Sequence, residues 1–168
     1  TRWRRELLAL DRTVNVVIHE PSGEPARADV TFQWDATGLL HLWACADSAQ
    51  SHFEKDFEDV GVRHLLLERA RRMDTRGRGW KLIALSGVSV ESPGATRHIR
   101  SVRIRADGVD ETITNVTDLI RVQSVLTLRA GSEVGVTVDT GDATDQVYLH
   151  LRHRHMRMPL VSNGDGTF

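Results

Sequence analysis

The residues best suited to chemistry lie close together near the end of the chain, in HLRHRHMRMPL at 150–160, which holds His150, His153, His155, Met156 and Met158. Imidazole suits zinc or copper, and thioethers favour Cu(I). If 146–158 is one strand, His153 and His155 share a face with Cα atoms roughly 6.5 Å apart, a workable span for two imidazoles on one ion. His150, Met156 and Met158 then fall on the opposite face, so His150 joins as a third ligand only after a local distortion. No Asp or Glu lies in this stretch to complete a site. Leu149 and Leu151 share the face of His153 and His155, so an ordinary half-buried strand explains the same residues. The remaining histidines (His19, His41, His52, His64 and His98) are scattered along the chain.

Nucleophilic chemistry has little to build on. Cys45 is the single cysteine, which excludes an internal disulfide framework and a cysteine-rich zinc site and slightly favours a reducing compartment. His41 shares its strand face, but four residues of strand separate their Cα atoms by roughly 13 Å. The surrounding LWACA is apolar, where cysteine behaves as a small buried hydrophobe. Gly77 and Gly79 in TRGRGW match no phosphate-loop spacing. The oxygen-rich loops GDATD and NGDGT lack the glutamate-terminated calcium pattern, and surface turns account for them. With no catalytic constellation at a workable spacing, a non-enzymatic domain is expected.

Arginine outnumbers lysine twenty to two, and the charge is segregated. Residues 1–62 carry −5, residues 63–105 carry +8 and residues 106–147 carry −6, within a net charge of −1. This layout is self-complementary and favours association with a protein partner or a second copy. Candidate contact residues are Arg76 and Arg78 in the basic loop and Arg97, Arg100, Arg103 and Arg105 in RHIRSVRIR. Nucleic acid is disfavoured, because the acidic segments repel phosphate and only Trp80 lies near the arginines to stack on bases. Pairing of these arginines with the acids of 106–147 is the simpler expectation.

The elements that position these groups read as mostly strands. RWRRELLAL has Trp3, Leu7 and Leu10 at helical spacing, and SHFE at 51–54 has the form of a capping box opening a main helix at about 51–73. TVNVVIHE, ADVTFQW and LLHLWACA read as a three-strand meander, with DATG as a hairpin turn. WKLIALSGVSVES and RHIRSVRIRAD follow as strands, DLIRVQSVLTLRA is expected to pair with SEVGVTVD, and QVYLHLRHRHMRM is the last full strand. The expected fold is β-rich α+β: antiparallel sheets with two or three helices, arranged as a β-meander plus helix module at 1–110 and a β-sandwich-like segment at 111–168, packed as one unit. The order LRAGSEVGVTVD, QVYLHLRHRHM, NGDGTF resembles stretches of bacterial immunoglobulin-like domains, in which a Gly-Asp-Gly-aromatic turn leads into a late strand. That resemblance covers about 45 residues at the C-terminal end and implies a sandwich there.

No apolar run approaches the roughly 18 residues a membrane span needs. A start at Thr1 and an end just after NGDGT read as those of an excised piece. The expected function is a non-enzymatic protein-binding or assembly domain acting through charge-complementary contacts. A zinc or copper site at His153, His155 and His150 is the alternative, and an arginine-mediated nucleic-acid binder the third reading.

Overall fold

The computed structural model describes residues 2–46, 49–70, 79–151 and 156–168, and it is built almost entirely of antiparallel strands. In chain order these are β1 (Arg2–His19), β2 (Arg27–Ala46), β3 (Ala49–Arg69), β4 (Trp80–Leu85), β5 (Ser89–Glu91) and β6 (Ser101–Ala106). They are followed by β7 (Val109–Ile113), β8 (Ile120–Arg121), β9 (Gly135–Asp139), β10 (Tyr148–Leu151) and β11 (Met156–Pro159). Two compact units result: Thr1–Ala95 with Val116–Val125, and Thr96–Asn115 with Leu126–Phe168.

The first unit is a six-stranded sheet in the order β1-β2-β3-β4-β8, with β5 also pairing β3. Its frame is the meander of 18, 20 and 21 residues formed by β1, β2 and β3. The register opposes Val16, Val30 and Leu65 on one face, and Asn15, Thr31 and His64 on the other. Alternation between an apolar and a polar face is what a half-buried antiparallel sheet requires. Aromatic side chains cover glycines on the apolar face. A Cβ at Gly61 would run into the Trp34 indole, and one at Gly38 would meet the Phe57 ring at 2.7 Å and the Glu6 carbonyl. The fourth position beside β3 is shared by β4 and β5, which are separated by Ser86–Val88. Fully buried Ser86 bridges that break. Its hydroxyl accepts from the His64 N–H at 2.9 Å and donates to the Gly87 carbonyl at 2.6 Å, while its own N–H donates to the His64 carbonyl at 2.9 Å.

The two or three expected helices are absent: the only helical turn among the described residues is a 3-10 segment at Val122–Ser124. RWRRELLAL lies in β1, and 51–69 of the expected main helix lies in β3. Spacing explains the difference. A step of four is even, so Trp3 and Leu7, or Phe53 and Phe57, share a strand face as readily as a helix face. The step of three from Leu7 to Leu10 also keeps its face, because the register shifts between Leu7 and Ala9 as at a β-bulge. Ser51 and Glu54 cap nothing; they oppose Ala44 and His41. DATG is not a hairpin either, since Asp35–Gly38 runs through the middle of β2 between fully paired neighbours.

In the second unit, β7-β6-β9 form a three-stranded sheet and β10-β11 a separate hairpin. SEVGVTVD supplies β9, which pairs with β6 in the register Val102↔Val138 rather than with DLIRVQSVLTLRA. QVYLHLRHRHMRM is divided between two strands paired from Tyr148↔Pro159 to Leu151↔Met156. The NGDGTF stretch returns to β9: Thr167 bridges Asp139, and buried Phe168 exchanges backbone hydrogen bonds of 2.9 and 3.0 Å with Val138. Its turn is held by Asp165, whose carboxylate accepts from the Thr167 hydroxyl at 2.6 Å and the Thr167 N–H at 3.0 Å.

Candidate functional site

The long meander presents two surfaces with different chemistry. On the apolar face, β2 is for the most part more deeply buried than β1, although Phe32 of β2 is itself 36% exposed. Ala28, Val30 and Ala36 of β2, flanked by β1 and β3, are 4, 8 and 9% exposed. Val14, Val16 and Ile18 of β1, on the same face but flanked on one side only, are 52, 50 and 56% exposed. Leu7 and Leu10 continue the exposed row at 55 and 37%. β1 is thus a long edge strand, without proline, and among the described residues no second strand pairs with it. Farther along this face Arg5 is ion-paired with buried Asp59, which also accepts from the Ser92 hydroxyl at 2.7 Å. The Arg5 guanidinium lies 3.9 Å from the centre of the Phe57 ring.

On the polar face, the β2–β3 register opposes His41 to Glu54 and Trp43 to His52. Three ligand-type atoms converge there. His41 Nδ1 is 3.2 Å from His52 Nε2 and 3.2 Å from Glu54 Oε1, and His52 Nε2 is 3.7 Å from the same Glu54 oxygen. The other nitrogen of His41, Nε2, is 3.3 Å from Glu6 Oε2 on β1. Trp43 stacks on both imidazoles, with ring centres 4.9 Å from His52 and 5.8 Å from His41. Among the described residues this is the only group of three His, Cys, Asp or Glu side chains close enough to share an ion.

The residues singled out from sequence are placed differently. His153 and His155, and the loop arginines Arg76 and Arg78, lie outside the described residues. His150 is exposed on β10 opposite Arg157 and belongs to no such ligand group among the described residues. Arg97, Arg103 and Arg105 of the second unit have internal acidic partners from 106–147. Arg103 makes a two-pronged contact with Asp110, both hydrogen bonds at 2.6 Å, and Arg105 approaches the same carboxylate at 3.6 Å. Arg97 pairs with Asp142 and lies 3.6 Å from Asp145. The Arg100 guanidinium lies over Gly141. Hydrogen bonding from Arg103 holds the Asp110 carboxyl below its ordinary value and raises the arginine. Asp142 is lowered to about 2, chiefly by the Thr144 hydroxyl and N–H and then by Arg97.

His41 and His52 were missed as a pair because the helical reading of 51–73 put them on unrelated elements. The signal was present in the strand arithmetic: a register that sets Ala46 opposite Ala49 also sets 43 opposite 52 and 41 opposite 54. No helix among the described residues is long and apolar enough to cross a membrane. No family model, no curated protein and no solved structure matches this chain.

Proposed function

We propose that this chain is an assembly domain in which β1 pairs, edge to edge, with β1 of a second copy. The observation that carries the reading is the contrast between β2 and β1 on one apolar face: Ala28, Val30 and Ala36 are buried with a strand on both sides, and Val14, Val16 and Ile18 are half exposed with a strand on one side. A long, exposed apolar edge strand is a template for pairing with another chain.

A second copy fits because β1 is self-complementary. Antiparallel pairing about a two-fold axis at Val14 sets Leu10 opposite Ile18, Arg12 opposite Val16 and Thr13 opposite Asn15, with no like charges opposed. Burying a half-exposed Val, Leu or Ile is worth roughly 1 kcal/mol, so Leu10, Val14, Val16 and Ile18 on both copies contribute about 8 kcal/mol. That gain, with the added ladder of main-chain hydrogen bonds, stands against an association cost of about 4–15 kcal/mol, so the ladder must supply the remainder for a stable dimer. Arg97, Arg103 and Arg105 already have acidic partners of their own, which leaves the apolar strand as the better-supported contact.

The geometry is tested by cross-linking. Opposed residues in antiparallel strands have Cα atoms about 4.5–5.5 Å apart, within disulfide range. In a Cys45→Ser background, Val14→Cys is expected to form disulfide-linked dimers on mild oxidation, with Asn163→Cys remaining monomeric under the same conditions. If Val14→Cys forms covalent dimers no faster than Asn163→Cys, β1 is not the contact.

A further inference from the structure

We propose a zinc site on the opposite, polar face of the same sheet, with His41 Nδ1, His52 Nε2 and Glu54 Oε1 as ligands and Glu6 orienting His41. The three atoms form a triangle with sides of 3.2, 3.2 and 3.7 Å, so a point equidistant from all of them lies about 2.0 Å from each. That matches zinc–imidazole bonds of about 2.0–2.1 Å and zinc–carboxylate bonds of about 2.0–2.2 Å. An ion slightly above the plane of the triangle would lie within bonding distance of all three atoms, with a further position toward solvent, since the His52 and Glu54 side chains are 41 and 52% exposed; the two imidazole rings, near parallel at 10°, would turn to aim both nitrogens at it.

The second shell supports the same assignment. A ligating imidazole ordinarily donates its other N–H to a carboxylate, which fixes the tautomer and aims the free nitrogen at the metal. Glu6, 3.3 Å from His41 Nε2, is placed for that contact, leaving Nδ1 of His41 to face the ion. Trp43, stacked 4.9 Å from His52 at an interplanar angle of 9°, holds the second ring in place. Cross-strand pairing positions all of these groups, so the frame needs no loop to close. Two imidazoles and a carboxylate favour zinc over hard cations such as calcium, which prefer oxygen ligands, and over Cu(I), which prefers sulfur.

The test is calorimetric titration of zinc into metal-free, untagged chain, repeated on His52→Ala, on the near-isosteric Glu54→Gln and on Glu6→Gln. One zinc per chain is expected. Affinity should fall at least tenfold in the ligand variants and roughly 10- to 100-fold in Glu6→Gln, a second-shell loss. Circular dichroism of each variant should show unchanged strand content. Cobalt(II) in place of zinc should give the strong visible absorption of a four-coordinate ion, lost in His52→Ala. Absence of zinc uptake in the hundred-micromolar range overturns the proposal, as does uptake that His52→Ala and Glu54→Gln leave unchanged. Uptake abolished only by replacing His153 and His155 together also overturns it, by placing the metal on the C-terminal tract.

Discussion

At the scale of single residues, the first unit depends on polar groups that complete what the strand ladder leaves open. Ser86 is the clearest case. It sits fully buried where β4 stops and before β5 begins, and its hydroxyl satisfies the His64 N–H that no strand reaches. Ser86→Ala would leave that donor unpaired inside the protein, at a cost of about 1–3 kcal/mol. Chemical denaturation should show a lower midpoint with an unchanged slope, because the exposed surface on unfolding is the same. An unchanged midpoint would mean that the bond contributes nothing net. Individual roles of this kind were not legible in the sequence. A serine in IALSGVS has no signature that separates a buried bridge from a turn residue, and only the β4–β5 break makes it one.

At the scale of elements, the strands β1, β2 and β3 are longer than any single patterned stretch suggested. Their core segments, TVNVVIHE and ADVTFQW, were readable because β-branched and aromatic residues alternate there with polar ones. LLHLWACA, the far part of β2, was readable as a strand too; the extensions of β1 and β3 were not, because steps of four and a bulge imitate helical spacing at 3–10, and Ser51 with Glu54 imitates a cap. Asp-Ala-Thr-Gly in β2 has the composition of a turn, yet Gly38 is there because the Phe57 ring and the Glu6 carbonyl occupy the space of a side chain. The same logic applies at Gly61 under Trp34, where the neighbour is a rigid indole. Gly61→Ala should therefore destabilise the fold by about 1–3 kcal/mol through overpacking. Thermal unfolding checks this. A gain in stability, as expected if the glycine only added chain entropy, would show that Trp34 can move aside.

At the scale of the whole molecule, the charge segregation visible in the sequence is spent at least partly within the chain. Asp110, Asp142 and Asp145 take up Arg103, Arg105 and Arg97, so the acid-base layout is no direct map of an interface. The candidate metal site was half legible: the histidines were in view, but their meeting depends on the β2–β3 register, which a helix at 51–73 conceals. The exposed edge was not legible at all, since which of several apolar strands lacks a neighbour is decided by strand order. The central claim concerns that edge, and sedimentation velocity over a concentration series tests it most directly, on the native chain and on Val16→Asp. Val16 is half exposed, so the variant should fold while setting a carboxylate into the apolar row. The native chain should shift from monomer to dimer as its concentration rises to several hundred micromolar, with little weakening at high salt, and Val16→Asp should require a markedly higher concentration. A native chain that stays monomeric at several hundred micromolar, or a Val16→Asp chain that dimerises equally well, would contradict the assignment of β1 as the assembly surface.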